Sequence, residues 1–331
     1  VSIESFDVGY WTGEITYSPA WSSVPISISF GSGPDPVYGI SWIIEKLEGW
    51  DSPDIVGQVL QRGADHGGWP AGQWYAPRAL TLQVRASAPT QATRDIARAL
   101  FQQVCPPSDL SLFQYNEPIP KQVYFRRAGK ISETYDNLTE VDFAAVLICP
   151  DPRKYSQQLK SWTPTIYAAN TYTTVGNTGT PTFVPWPIGT SNYPAVVSAP
   201  NLGTFETRPV VLLQGPLTKP GIRYVNTGQV VTWSNVTLRT GDVMAIDFDS
   251  HTSYVNPGNL IINVPLGVAP SAAVVAGGIV SPATIAGYVP ADISSSWFVL
   301  WPGYNALQLL TLGNVSTDVG LMQVFHRDAW I

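Results

Sequence analysis

Hydrophobic and polar positions along this chain follow two periods, and the period of two dominates. Leu80, Leu82 and Val84 alternate with Thr81, Gln83 and Arg85, which predicts a half-buried strand. Val123 and Phe125 alternate before a turn at Ala128-Gly129-Lys130. Residues 141–148 are a near-continuous apolar run ended by Pro150 and Pro152, which predicts a strand covered on both faces. The 3.6-residue period is convincing once. After Pro89 it puts Ile96, Leu100, Phe101 and Val104 on one face and Arg94, Asp95, Arg98 and Gln102 on the other. This predicts a helix over about 90–105, capped by Thr90, stopped by Pro106-Pro107 and packed on a sheet.

A second set of short strands follows at residues 210–213, 230–233, 243–248, 297–301 and 307–310, divided by Gly, Pro and Asn turns. In the third, Met244, Ile246 and Phe248 share one face while Asp247, Asp249 and His251 share the other. Many short strands between such turns argue for a sandwich or jelly roll. The expected fold is therefore mainly β in two domains. Residues 1–160 form a β-barrel or sandwich with one packed α-helix, 161–197 connect, and 198–331 form a second β-sandwich.

Three segments break the pattern. Residues 49–77 are rich in Gly, Pro and Trp and show weak periodicity. A compact domain rarely keeps such a stretch without a function. Residues of about 50–76 read as an arm that reaches onto a neighbour, with Trp69, Trp74 and Tyr75 as anchors in its groove. The alternative is a strand with an ordinary surface loop, its aromatics capping their own barrel. Residues 156–200 are dominated by Thr, Tyr, Asn, Pro and Gly. Residues 268–289 are apolar but built of Ala, Gly, Ser and Pro, which suits an inserted loop and no membrane span.

Composition adds a bias toward partners. The 331 residues include 12 Trp, 15 Tyr and 11 Phe, yet only 13% are charged. Charge-poor, aromatic-rich chains either bury area against partners or fill β cores with aromatics. Net charge is −6 and no Lys/Arg run exceeds Arg126-Arg127, so no sequence-specific nucleic-acid surface is expected. A mildly acidic wall that DNA slides past is compatible with that balance. Residues 1–11 carry acids and no basic leader, so no secretory signal is expected there. Cys105 ends the helix and Cys149 ends a strand. Buried free thiols are expected, with a disulfide as the alternative.

Candidate chemistry is thin. Asp242, Asp247, Asp249 and His251 suggest a metal site, but the last three lie along one strand face, which solvation explains as well. Three histidines exist, His66, His251 and His326, with no G-x-S-x-G, H-E-x-x-H or P-loop motif. Glu45/Glu48 and Asp51/Asp54 are paired acids, as a glycosidase would need, yet neighbours in sequence do not define a cleft. No catalytic set, no cofactor and no metal are expected.

Several blocks carry a family resemblance. N-L-G-T-F-E-T-R-P-V-V at 201–211, L-R-T-G-D-V-M-A-I-D at 238–247 and W-P-G-Y-N at 301–305 resemble the galectin-like C-terminal domain of distal tail (Dit) proteins of long-tailed bacteriophages. R-A-L-T-L from Arg78, the helix and D-P-R-K-Y at 151–155 resemble their N-terminal ring-forming domain. R-G-A-D-H-G-G-W at 62–69 resembles the corresponding arm in phages of actinobacteria.

The resemblance implies a structural virion protein of the tail tip or baseplate, made in the host cytoplasm. It implies a homohexameric ring around a DNA channel, joining tail tube protein to tail-tip hub, with receptor-binding or other minor tail proteins as further partners. It implies no enzyme. Sugar-binding galectins use H-x-N-P-R and W-x-x-E-x-R. Here His251 precedes T-S-Y-V-N-P and Trp297 precedes F-V-L-W, so the sugar-reading residues are missing. The rival readings are a host-surface glycan-binding tail module and a tail-associated cell-wall hydrolase.

Overall fold

The period-two segments become strands in the computed structural model, and the 3.6-residue segment becomes a helix. The structure describes residues 12–19, 22, 24–61, 66, 68–163, 196–255, 287–311 and 320–331. Most of the connection at 161–197 and nearly all of 268–289 lie outside the described residues. By its internal contacts the chain forms two units, Val1–Gln157 with Ala329–Ile331, and Gln158–Asp328.

The first unit opens with strands β1 (Gly13–Tyr17), β2 (Ile26–Phe30), β3 (Ser41–Glu48), β4 (Ile55–Gln61), β5 (Gly68–Tyr75) and β6 (Arg78–Ser87). Helix α1 (Gln91–Val104) follows, then β7 (Ser111–Tyr115), β8 (Lys121–Arg127), β9 (Ser132–Tyr135), β10 (Glu140–Cys149) and β11 (Lys154–Ser156). The main path runs β2-β1-β7-β8-β10-β6-β3. It bends between β8 and β10, which share only the pairs Leu147↔Arg127 and Ile148↔Arg126. At its far ends, the Gly31 amide donates to the Trp42 carbonyl at 2.9 Å. Both halves therefore wrap one core, as a barrel does. A C-terminal strand, Ala329–Trp330, pairs with β11 and so belongs to this unit.

β6 and β10 are paired antiparallel over their full length, Arg78 opposite Cys149 to Ser87 opposite Glu140. β10 does not meet the expectation of two covered faces. Val141, Phe143, Ala145 and Leu147 are buried, while Val146 is 45% exposed. An apolar side chain on the open face preserves β propensity without being core. Helix α1 starts as its sequence predicts. Thr93 N donates to Thr90 Oγ1 at 3.2 Å and Thr90 N to Thr93 Oγ1 at 3.0 Å, a reciprocal cap. Ala97, Phe101 and Val104 are buried, and Phe101 stacks on Phe143 at 4.6 Å, which pins the helix to the sheet.

The second unit contains β12 (Lys160–Trp162), β13 (Val196–Ser198), β14 (Val210–Gln214), β15 (Leu217–Thr218), β16 (Pro220–Tyr224) and β17 (Val230–Thr232). β18 (Thr237–Leu238), β19 (Val243–Asp247), β20 (Thr252–Val255), β21 (Gly287–Tyr288), β22 (Ala306–Thr311) and β23 (Leu321–His326) complete it. Two sheets, β12-β23-β14-β19-β20-β21 and β13-β22-β16-β17, share a core that includes Val211, Ile222, Met244, Ile246, Leu307 and Val324. Residues 297–301, expected as a strand, form none. Phe298 and Leu300 are buried, but the backbone makes just one isolated bridge, Leu300 to Thr207.

One-faced burial of β10 separates two positions on its opposite faces. Phe143→Ala should destabilise by about 3–4 kcal/mol in urea unfolding, and Val146→Ala by at most about 0.5 kcal/mol. Equal losses would contradict the open face.

Candidate functional site

The candidate site is the segment the sequence marks as an arm. It is a two-stranded ribbon. β4 and β5 pair antiparallel, Ile55 opposite Tyr75 and Gln61 opposite Gly68, with a register shift between Gly57 and Val59. Among the described residues, neither strand pairs with any other. Successive strand residues point to opposite faces. Ile55 and Val56 are 62% and 57% exposed, and Trp74 and Tyr75 are 70% and 38% exposed. Apolar side chains are therefore uncovered on both faces at the ribbon's base. The Trp74 ring lies back over Gly72, where a Cβ would come within 2.8 Å of it. The side chain of Trp69 lies outside the described residues.

The base itself is firmly built. Gly49 turns the chain out of β3 at φ +82°, so close to the Ala79 carbonyl that a Cβ would collide with it. Trp50 then plunges into the barrel core. It sits edge-on to Phe113 at 5.6 Å and Tyr115 at 5.4 Å, and its indole N–H donates to the Glu117 carboxylate. Lys121 binds the other oxygen of Glu117. Partial burial raises the Glu117 carboxyl, but hydrogen bonds from Lys121 and Trp50 outweigh it and hold the group below its ordinary value.

Two buried cations close on the same turn. Arg78, fully buried, donates through Nη1 to the carbonyls of Gly49 at 2.9 Å and Trp50 at 2.8 Å. Its Nε donates to the Pro152 carbonyl at 3.0 Å. Lys154 Nζ donates to the carbonyls of Trp50 at 2.9 Å and Asp51 at 3.3 Å, and lies 5.5 Å from the Trp50 ring centre. Burial lowers the Arg78 pKa. Burial, with Arg78 and Lys121 adding repulsion, pulls the Lys154 pKa down to about 8. The sequence marks both residues only as parts of framework motifs. Their shared target was not readable from it.

The residues of candidate chemistry belong to different units or serve turns and ion pairs. His66 belongs to the ribbon's unit, whereas His251 and His326 belong to the other. His326 is fully buried, with Nε2 3.1 Å from the Pro200 carbonyl oxygen. His251 stacks on Trp297 at 4.9 Å. Asp242 accepts the Arg239 amide, and Asp247 accepts the Asp249 amide at 2.8 Å while Asp249 pairs with Arg208. Glu45 pairs with Arg85 at 3.0 Å and Glu48 with Lys46 at 2.7 Å. Cys105 and Cys149 are free and buried, and burial pushes both thiols up to about 12. A cleft of about 400 Å³ in the first unit is lined by Ile28, Pro34, Tyr38, Trp42 and Leu100. Its one acid, Asp35, is taken by the amides of Val37 and Tyr38. No described helix is long and apolar enough to cross a membrane.

The second unit presents its own aromatic surface. Asn201 and Asn305 are fully buried, and their side chains tie the loops at 201–205 and 301–305 by hydrogen bonds to Phe205, Leu300, Trp301 and Gly303 carbonyls. Those loops hold Leu202, Trp301 and Tyr304 at 70%, 52% and 64% exposure.

Comparison with known proteins decides the fold. No family model matches the sequence, and no curated protein matches it. Solved structures do. SPP1 Dit (gp 19.1), described as a paradigm of the hub adsorption apparatus in phages infecting Gram-positive bacteria, matches with a TM-score of 0.54 at 12% identity, over 86% of this chain and 93% of that one. The chain has the Dit fold. The phage P2 baseplate in its activated conformation matches with TM-scores of 0.51 with Ca and 0.52 with Sr. Both comparisons are at 10% identity and cover 96% of this chain and 98% of that one. At this coverage the Dit fold takes in both units.

Two outcomes test the ribbon's base. Gly49→Ala should cost at least about 2 kcal/mol in urea unfolding, from the left-handed backbone and the contact with Ala79 together. Lys154 has a folded pKa near 8 against an ordinary 10.5. Between those values the folded state binds fewer protons, so its contribution to stability rises with pH. The charges facing it are Arg78 on β6, Lys121 on β8, and Glu117 and Asp51 in the flanking turns. From about pH 7.5 to about pH 10.5 the wild type should gain about 2 kcal/mol relative to Lys154→Met. A flat difference would mean the ammonium is not effectively buried.

Proposed function

We propose that this chain is a ring-forming structural protein of a phage tail tip, with no catalytic role. The single observation that carries this reading is the β4–β5 ribbon, which exposes apolar side chains on both faces at its base and, among the described residues, pairs with no other strand. A two-stranded hairpin is marginal alone in water, so such a ribbon gains its cover from another chain. A projecting element that meets a different surface on the next copy makes a heterologous contact, and a suitable rotation closes it into a ring. The Dit fold supports the same conclusion, because SPP1 Dit is described as a hub component and the P2 match is a baseplate.

In this reading six copies surround a channel, with tail tube protein on one side and the tail-tip hub on the other. The net charge of −6 suits a wall that releases DNA. The exposed Leu202, Trp301 and Tyr304 offer contact area for receptor-binding or other minor tail proteins. The working location is the virion tail tip, after synthesis in the host cytoplasm.

Negative-stain images and solution mass of the full chain test the ring. Sixfold annuli are expected, alone or after addition of tail tubes. The double variant Trp74→Ala, Tyr75→Ala should weaken self-association by at least about tenfold with an unchanged melting temperature, since both side chains are exposed in the single chain. Wild-type protein that stays monomeric with and without tail tubes would overturn the proposal.

A further inference from the structure

Arg78 and Lys154 bring two positive charges into the protein interior, and among the described residues neither forms an ion pair. Arg78 is fully buried and Lys154 is 6% exposed. Their hydrogen bonds to described residues go to main-chain carbonyls, of Gly49, Trp50, Asp51 and Pro152. Among the described residues, Arg78 Nη2 is buried with no hydrogen-bond partner. Burying charge this way lowers folding stability relative to an apolar pair of the same size. The arrangement is placed where the ribbon leaves the barrel. Three successive carbonyls, those of Gly49, Trp50 and Asp51, are held from β6 and β11, and Arg78 itself heads the strand by which the ribbon returns.

We propose that Arg78 and Lys154 are positioning residues that aim the β4–β5 ribbon, fixing its exit path at a cost in folding stability. The idea rests on reading the ribbon as a contact element, but it makes its own claim about the single chain. A ribbon that swings freely must be ordered at every ring contact, and each ordering event subtracts from the association free energy. A preset direction removes that loss. Carbonyl oxygens suit the purpose, because several donors on one short turn leave it a single path.

Spin labels at Val56→Cys on the ribbon and Leu138→Cys before β10 report the direction. Both sites are exposed, at 57% and 69%, whereas Cys105 and Cys149 are buried. The inter-label distance distribution is measured on the monomer at neutral pH. Lys154→Met should widen it by about twofold, with a melting temperature equal to or above wild type. Lys154→Arg should restore the wild-type width, as it restores the donors and the charge. Equal widths in these two variants would overturn the proposal, wherever their melting temperatures fall. If Lys154→Met does not fold, Arg78→Lys takes its place, since it keeps the charge and loses the fork. A wild-type width there would be equally fatal. These width differences together with wild-type chains that never form rings would sink the assembly reading and leave the positioning role standing.

Discussion

A two-stranded ribbon has no interior. Its hydrogen bonds run along one seam, and both faces meet water unless something else covers them. In this chain Ile55, Val56, Trp74 and Tyr75 at the ribbon's base stay exposed, and β4 and β5 pair with each other and with no other described strand. The surrounding structure answers that constraint at one point, the turn from Gly49 to Asp51. Trp50 fills the core between Phe113 and Tyr115, while Glu117, itself held by Lys121, and Arg78 and Lys154 converge on the same three residues. The barrel is thus a mount for the ribbon as much as a domain in its own right.

The aromatic side chains divide accordingly. Trp42, Trp50 and Trp233 are buried; the indole N–H of Trp50 donates to Glu117 and that of Trp233 to Ser253 Oγ at 2.9 Å, so these two rings close the cores without stranding a donor. Trp74 and Trp301 face solvent instead, each on a backbone that holds it in place. In the second unit that support comes from the carboxamides of Asn201 and Asn305, whose burial is tolerable because their hydrogen bonds are made. Rings exposed on braced loops offer contact area to other chains.

Electrostatics follow the same economy. Exposed charges occur in pairs such as Arg98–Glu133 and Lys46–Glu48, which contribute little to stability. Arg85 is shared by Glu45, Asp136 and Asp142 on the open face of the barrel sheet. Arg78 and Lys154, buried with no ion pair among the described residues, both lie at the ribbon's base.

The amino-acid pattern was sufficient for whatever depends on neighbours a few residues away. Helix α1 and its Thr90 cap were legible because a cap and an apolar stripe are local. The strand at 78–87 was legible from its strict alternation, and the two-domain β architecture from turn spacing. The strands at 55–61 and 68–75 were not read as a pair, since Gly, Pro and a register shift erase the alternation that marks a half-buried strand. β10 was read as doubly covered because an exposed valine looks the same in sequence as a buried one. Lys154 stands 104 positions from the carbonyl it binds. Sequence alone determined the helix and the strands that alternate strictly; only the tertiary structure decided that 55–61 and 68–75 pair and which distant groups meet at the ribbon's root, because burial and partnership are set by through-space neighbours.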